Sequence, residues 1–477
     1  MMDSFQLPSG LRLAALAGGL LLVYWIITQV QLHRRRAGIK QAAGTRPVPY
    51  LSAVGYDRIL GLSFFRSNMA AIRDHCILEL GKSRLDQDGL RTARIVMLGT
   101  QAIVTIEPEN LKVIQAIDFK KWSLGQRRKT SFRPLLGIGI FTSDGQDWAH
   151  SREMLRPNFV RSQVADIPTF ERHVAHLISA VPGDGTTVDL SQLFFRLTMD
   201  SATEFLVGES TESLTKQSED GFAGAFNRSQ DYIATSSRWG IWRKFFPEDK
   251  QFTQDKQFVH DFVDYYVQRG LAKRSKLLQE KTSEKTGRYV FLDELVRQTE
   301  DPIRIRSELL NILLAGRDTT ASLLTNVWFV IAKRPDIWAK LQAEVATLNG
   351  QAPSYEQLKE LKYLRAVLNE SLRLHPVVPA NSRQATEDTT LPLGGGADGA
   401  APIFIEKGQI VSWNVYAMHR RKDYYGEDAE EFRPERWLDD RETGKKGLRP
   451  GWEYLPFNGG ARICLVSSDL FLHMNPR

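Results

Sequence analysis

The chain has 477 residues, of which 42% are hydrophobic and 25% are charged, a composition typical of globular proteins. Its formal net charge of +7 allows contact with an anionic membrane or an acidic protein, but its scattered basic residues exclude a nucleic-acid-binding stripe. Two cysteines, Cys76 and Cys464, cannot form a disulfide framework, so we expect the folded part to lie in a reducing compartment.

The first element in chain order is an apolar segment without charge, residues 13–30. It reaches the length of about 18 residues at which a membrane span becomes a candidate. Residues 34–36 are three arginines, and a cationic cluster after an apolar run marks the cytoplasmic side. A signal peptide would have a shorter apolar core and a small-residue cleavage site. We therefore predict an uncleaved anchor over residues 1–36, with the body of the protein in the cytosol.

A proline-containing stretch separates the predicted anchor from the rest of the chain. Pro47 and Pro49 favour extended backbone, so residues 37–49 are interpreted as a stiff hinge. Further along, residues 93–106 have the pattern of two short strands around Gly99.

Helical patterns dominate the remainder of the chain. Residues 307–335 form a run that is apolar nearly all round, which predicts a buried helix. Residues 354–376 predict one or two helices, and residues 385–415 predict strands and turns. No boundary divides residues 50–465, which we interpret as one large, mainly α domain with a minor β-sheet.

The first motif that could carry chemistry is WAHSR. Trp148 and Arg152 stand four residues apart and share one face of a helix. An indole N–H and a guanidinium together suit a carboxylate. The alternative is an amphipathic surface helix with an incidental arginine.

The second motif, AGRDTT, lies inside the predicted buried helix. Asp318 and Thr319 are costly in an apolar helix unless they are hydrogen-bonded or functional. Gly316 leaves room, and a nearby threonine hydroxyl can let the helix open locally. The alternative is a polar kink that holds a water molecule.

The third motif, ESLR, places Glu370 and Arg373 at positions i and i+3. As an exposed helical pair they would contribute about 0.2–0.5 kcal/mol. His419 has the context of an ordinary surface or hydrogen-bonded core residue. No HExxH, CxxCH or GxSxG pattern occurs, so zinc hydrolysis, c-type haem and α/β-hydrolase chemistry have no support.

The last motif is FNGGARIC, residues 457–464. A lone cysteine is usually a buried small hydrophobe. Here Gly459 and Gly460 would allow the backbone to approach a flat ligand closely, and Arg462 could meet an anion. A thiolate needs such an electropositive setting. A thiolate at Cys464 beside a flat, anionic ligand suggests haem, since a cysteine axial ligand favours O–O cleavage.

The chain resembles the cytochromes P-450, the haem-thiolate monooxygenases. FNGGARIC matches their signature F-x-x-G-x-R-x-C, and the other motifs follow in the family's order over about residues 148–464. The resemblance implies a cytochrome P-450 fold that binds haem b. It further implies binding roles for these residues: Trp148, Arg152 and Arg383 at the propionates, Phe457, Gly460 and Arg462 beside the haem, and Cys464 as the axial ligand of the iron.

The same resemblance implies roles for the two other motifs. Gly316 would face the oxygen pocket, and Asp318 and Thr319 would deliver protons as general acids. Glu370 and Arg373 would be buried and joined by Arg436 of FRPERW in a structural triad. Removing one partner of such a triad would cost about 3–5 kcal/mol.

The implied reaction needs an electron donor and an apolar substrate. No GxGxxG follows a strand, so electrons should come from NADPH through a separate membrane-bound reductase. Residues 131–159 and 391–411, with Arg317 of AGRDTT, resemble the fungal branch that hydroxylates n-alkanes and fatty acids near the chain end. Related fungal enzymes modify secondary metabolites instead. The implied location is the endoplasmic reticulum membrane, with a single span and a cytosolic catalytic domain.

The carboxy-terminus departs from the family pattern. Val466 stands where the signature has glycine, and relatives continue with a helix beneath the haem and a strand pair. Thirteen residues follow Cys464, which even as one helix would span only about 20 Å. One hypothesis is that residues 466–477 are a translated intron. One alternative is a truncated, non-catalytic haem or membrane protein. Another is a haem protein with isomerase or peroxidase-like chemistry, but that chemistry would not need the proton relay of Asp318 and Thr319.

Overall fold

The computed structural model of this chain describes residues 9–159, 166–216, 221–279, 289–440, 444 and 446–465. The atypical tail predicted at residues 466–477 lies outside the described residues. Within them the protein is mainly helical with two small sheets, as the sequence predicted.

The α-helices of the described residues are α1 (Ser9–Ala42), α2 (Leu62–Arg73), α3 (Ile77–Asp88), α4 (Pro108–Lys112), α5 (Gln126–Leu136), α6 (Gly145–Leu155), α7 (Ile167–Ser179), α8 (Leu190–Val207), α9 (Ser213–Lys216), α10 (Phe222–Ser237), α11 (Lys250–Ala272), α12 (Arg274–Gln279), α13 (Phe291–Gln298), α14 (Pro302–Ile331), α15 (Pro335–Ala346), α16 (Tyr355–Glu360), α17 (Lys362–Leu374), α18 (Val415–Met418) and α19 (Lys422–Tyr425). The strands are β1 (Thr92–Met97), β2 (Thr100–Thr105), β3 (Trp122–Ser123), β4 (Ala380–Ala385), β5 (Thr389–Gly395), β6 (Ala401–Ile405) and β7 (Ile410–Asn414).

Helix α1 contains the segment predicted as a membrane anchor. Its part Leu16–Ala42 is long and apolar enough to cross a membrane, and Leu20, Leu21 and Trp25 are exposed on it. Its 27 residues would extend about 40 Å, against about 30 Å of bilayer hydrocarbon. This exposed apolar helix is consistent with a membrane anchor.

The end of α1 is attached to the hairpin of β5 and β6. Arg36 donates to both carboxylate oxygens of Asp388, at 3.1 and 3.2 Å, and to Glu406 at 2.8 Å. The ammonium group of Lys40 lies 4.8 Å from the centroid of the Phe404 ring. The basic cluster that follows the apolar run is therefore bonded to the globular domain.

The stretch predicted as a hinge, residues 37–49, begins inside α1 and continues as extended chain. The amide of Arg46 donates to Pro402 O at 2.8 Å, and the amide of Gly396 donates to Pro47 O at 3.1 Å. Val48 is buried. These contacts hold the proline segment against the domain.

The larger sheet has the order β1-β2-β7-β4-β3. Strands β1 and β2 form the hairpin predicted around Gly99, whose φ of 76° suits a tight turn. β2 pairs in parallel with β7, and β4 pairs antiparallel with β7. Arg383 therefore lies on β4, an inner strand between β7 and β3.

Helix α14 runs through the helical part and packs along α8. The carboxylate of Asp301 accepts from the amides of Ile303 and Arg304, and Pro302 occupies the first turn, so the helix begins five residues before its predicted start. Its buried positions lie on several faces, as the sequence predicted. The largest apolar core joins α5, α10 and α14 to Leu465, the residue after Cys464.

Replacing Arg36 with alanine should loosen the attachment of α1 without unfolding the domain. We expect a loss of about 1 kcal/mol, because the bonds of Arg36 lie partly in solvent. The amide of Arg46 should then exchange with deuterium about fivefold faster. Hydrogen exchange measured by mass spectrometry checks this. Arg73→Ala, which removes an exposed pair with Asp74, should leave that rate unchanged.

Candidate active site

One cavity of about 910 Å³ brings together most of the residues that the sequence singled out. Its wall is built by α5, α6, α14, β4 and the cysteine loop, which we define as residues 456–465. The predicted site residues on this wall are Trp148, Arg152, Gly316, Thr319, Arg383, Phe457, Arg462 and Cys464. Gly460 and Asp318 contact other parts of the protein.

The cysteine loop is held by its own backbone and by α6. The amide of Cys464 donates to Phe457 O at 3.0 Å, and the amide of Ile463 donates to Gly460 O at 3.1 Å. Arg152 reaches across from α6 and donates to Ile463 O at 3.0 Å. These bonds close the loop on itself and fix the position of Cys464 in the cavity wall.

The two glycines of the loop are needed for a reason that the sequence did not reveal. A Cβ added to Gly460, whose φ is +60°, would lie 1.9 Å from Gln115 O. A Cβ added to Gly459 would lie 2.6 Å from the ring of Trp452. Both glycines therefore allow close packing of protein against protein, and the approach of a flat ligand to this backbone stays a prediction. The side chain of Gln115 also accepts from the amide of Gly459, at 2.7 Å.

Four guanidinium groups meet at the cavity, from Arg128, Arg152, Arg383 and Arg462. Burial, together with repulsion from Arg128 and Arg462, lowers the pKa of Arg383 to about 9. Burial and repulsion from Arg128 and Arg152 lower the pKa of Arg462 to about 10, although Asp144 opposes this by accepting from Arg462 at 2.8 Å. Since guanidinium groups stay charged, the cavity wall carries an excess of positive charge that would be relieved by an anion.

Four residues of the AGRDTT motif, Ala315, Gly316, Thr319 and Thr320, line the cavity. The hydroxyl of Thr319 donates to Ala315 O at 2.7 Å. Helix α14 is continuous through this motif, so the local opening expected from the sequence is not present. Asp318 lies on another face of α14 and bonds to Arg317.

The predicted triad is assembled in the interior. Arg373 donates to both carboxylate oxygens of Glu370 at 2.8 Å, and Arg436 donates to Glu370 at 3.3 Å. The indole of Trp437 adds a bond of 2.9 Å. Burial opposes ionisation of Glu370, but the hydrogen bonds and charge of Arg373 outweigh it, so the pKa of Glu370 lies below its ordinary value. The charges of this triad are satisfied inside the protein.

The comparison with protein families decides the identity of the fold. The family model described as Cytochrome P450 matches residues 87–465. The chain belongs to the cytochrome P450 family. Sequence and structure agree on this point, because the matched region contains every motif discussed above.

Several fungal members are similar to this cytochrome P450. Cytochrome P450 monooxygenase himC of Aspergillus japonicus is 47% identical over 86% of this chain and 73% of its own length. Cytochrome P450 52A5 of Candida maltosa is 50% identical over 76% of this chain and 70% of its own length. Cytochrome P450 monooxygenase FPY7 of Fusarium mangiferae is 42% identical over 92% of this chain and 83% of its own length. The protein is therefore a monooxygenase of this family, as the sequence predicted.

Membership of the family implies haem, and the cavity of this cytochrome P450 fits that cofactor. Cys464 presents on the wall a thiol that is not in a disulfide. The guanidinium cluster supplies the positive charge that two propionates need. A Cβ added at Gly316 would meet no atom within 4 Å, so α14 leaves open space on its cavity face.

Arg128 is a cavity residue that the sequence did not reveal. It donates to Asn381 Oδ1 at 3.2 Å, and its Nε is buried without a hydrogen-bond partner. Such an N–H could be satisfied by an anion in the cavity. No motif distinguishes Arg128 from the other members of a set of 63 lysines and arginines. It reaches the site because α5 lies beside β4 in the fold.

His419 connects the triad to the segment that leads into the cysteine loop. Its backbone carbonyl accepts from Arg373 at 2.9 Å, and its Nε2 accepts from the amide of Leu455 at 2.8 Å. Complete burial is the main cause that lowers the pKa of His419 to about 3. The imidazole is therefore neutral and bonded in the core, one of the two settings that the sequence allowed.

Replacing Glu370 with glutamine should destabilise the protein by about 3–5 kcal/mol, because Arg373 and Arg436 would lose their buried counter-charge. The free energy of unfolding in urea checks this. Glu435→Gln is the matched control, since its pair with Lys340 is largely exposed, and should cost no more than about 1 kcal/mol. Equal losses in the two variants would contradict the role given to Glu370.

Lowering the pH should destabilise the protein through His419. Its pKa is lower in the folded protein than its ordinary value of 6.5, so its contribution is complete above pH 6.5 and is lost as the pH falls toward 3. His419→Gln should reduce the stability lost between neutral pH and about pH 5 by roughly 2 kcal/mol. Urea unfolding at both pH values measures this. The exposed His150→Gln control should leave the pH dependence unchanged.

Proposed function

We propose that this cytochrome P450 hydroxylates n-alkanes or fatty acids at or near the chain end, with electrons from NADPH delivered by a separate reductase. The observation that carries the proposal is the cavity itself. Cys464 and the guanidinium cluster lie on its wall with the oxygen-site motif of α14, and Phe141, Ile312 and Val377 add apolar surface. Such a lining suits a substrate that offers only C–H bonds.

The site residues would have two roles: some would bind the cofactor, and others would supply protons. Cys464 would bind the iron, and Arg128, Arg152, Arg383 and Arg462 would bind the propionates. Haem supplies the activation of O₂ from which one oxygen atom enters a C–H bond, and a cysteine ligand favours O–O cleavage. Thr319, with its hydroxyl on the cavity wall, would hold the proton that this chemistry consumes, and Asp318 would replace it.

The substrate class rests on the likeness of residues 131–159 and 391–411 to fungal n-alkane and fatty-acid hydroxylases. Part of that likeness lies at the cavity, since Ile140, Phe141 and Arg152 belong to the first segment and line the wall. The membrane setting agrees with it, because such substrates partition into lipid and α1 exposes an apolar span. We infer a single-pass protein of the endoplasmic reticulum membrane with its catalytic domain in the cytosol.

A second candidate is a membrane protein that binds haem without turnover, because haem binding needs only the part of the cavity that holds Cys464 and the guanidinium cluster. Beyond Leu465 the cavity continues between α7, α8 and α14, where Phe170, Ala202 and Phe205 line it. Substrate turnover would also need this apolar part of the cavity, so haem binding alone would not establish it.

Expression with an NADPH–cytochrome reductase in yeast membranes distinguishes the two candidates. Membranes supplied with dodecane or lauric acid should form products hydroxylated at or near the chain end, and omission of the reductase should abolish them. Mass spectrometry of the products gives the position of the new hydroxyl group. A thiolate-type carbon monoxide spectrum without any product would support the second candidate. Oxidation of neither substrate, with turnover of a polycyclic secondary metabolite, would contradict the proposed substrate class.

A further inference from the structure

The arginine at the third position of AGRDTT is buried among three helices. The Arg317 side chain is 2% exposed, and it donates to Asp318 Oδ1 at 2.7 Å and to Asn227 Oδ1 on α10. Its guanidinium lies 5.0 Å from the ring centroid of Phe195 on α8 and 5.8 Å from that of Phe226 on α10. Arg317 therefore connects α14 to the neighbouring helices α8 and α10.

Placing a charged pair here has an energetic cost that an apolar residue would avoid. Burial raises the pKa of Asp318, and the charge and hydrogen bond of Arg317 oppose that rise. Burial also lowers the pKa of Arg317, whose Nε has no hydrogen-bond partner. Since well-packed hydrophobic residues are often at least as stable as a buried ion pair, a gain in packing does not explain Arg317.

The pair also fixes where the carboxylate points. Thr319 lines the cavity, whereas Asp318 is turned toward α10, where Gln230 gives it a further side-chain hydrogen bond. Gln230 follows Asn227 by one helical turn, so two amides of α10 hold the pair. The side chain of Asp318 keeps 26% of its exposure, against 2% for Arg317. The carboxylate thus has access to protons from outside the cavity while it neighbours Thr319 along α14.

We propose that Arg317 is a positioning residue, which holds the Asp318 carboxylate between α10 and Thr319 so that it can pass protons from solvent toward the cavity. The inference rests on the proposed function, because it assigns the control of proton supply to that reaction. In each turnover Asp318, a carboxylate at rest beside Arg317, takes up a proton from solvent, passes it toward Thr319 and becomes a carboxylate again. Without Arg317, only the hydrogen bond of Gln230 opposes the effect of burial, and the carboxyl group retains its proton.

Three variants test this proposal in the haem-loaded protein with reductase. Arg317→Leu should keep the thiolate spectrum but lower the hydroxylated product formed per NADPH by about tenfold, because proton supply fails while electron supply continues. Arg317→Lys keeps the charge and should recover part of that loss. Asp318→Asn should resemble Arg317→Leu, and the double variant should be no worse than Asp318→Asn, since both changes act at one step.

Arg228→Leu is the matched control, because it removes another arginine–aspartate pair of α10, that with Asp255 of α11 at 2.7 Å. It should lower the thermal unfolding temperature but leave the product per NADPH unchanged. An equal fall in Arg228→Leu and Arg317→Leu would show a merely structural role and overturn the proposal. Unchanged product per NADPH in Arg317→Leu would also overturn it.

A measurement that does not depend on turnover separates this inference from the proposed function. Infrared difference spectra against Asp318→Asn report the protonation of this carboxyl group. At neutral pH it should be ionised in the wild type and protonated in Arg317→Leu. If the wild type hydroxylates no substrate, the proposed function fails, and the spectra still decide the inference. The same protonation state in both proteins would overturn it.

Discussion

The ion pair between Glu370 and Arg373 is the interaction on which the site depends, because a continuous path of bonds leads from it to the cysteine loop. Arg373 holds the backbone of His419, and the ring of His419 holds the amide of Leu455, two residues before Phe457. Phe457 in turn accepts from Cys464. A thiol can be a ligand only if its loop keeps one position, and this path supplies the fixed wall behind it.

The protein contains two groups of buried arginines, and they differ in whether protein carboxylates neutralise their charge. Around Glu370 the positive charges are neutralised by protein, which makes that group structural. Around the cavity, Arg383 and Arg462 face like charges, and burial together with that repulsion lowers their pKa values. An anion would stabilise such a cluster, which is why we propose that the guanidinium cluster binds the propionates of the cofactor.

The sequence predicted the fold class, α14 and the hairpin of β1 and β2, because periodicity and turn residues are local signals. Motif spacing also identified Cys464. The sequence could not reveal Arg128, whose place at the cavity depends on the contact between α5 and β4. It also could not show that the side chain of Asp318 points from α14 toward α10. The glycines at 459 and 460 show the limit most clearly, since a sequence indicates that a Cβ is excluded but not that Gln115 and Trp452 exclude it.

The central claim is that the sulfur of Cys464 binds haem iron in this cavity. The most direct measurement is the carbon monoxide difference spectrum of reduced Cys464→Ser beside that of Cys76→Ser, with circular dichroism to show that both variants are folded. The account predicts that the thiolate band disappears in Cys464→Ser and is unchanged in Cys76→Ser, whose cysteine lies on the surface. A thiolate band that persists in folded Cys464→Ser would contradict the claim.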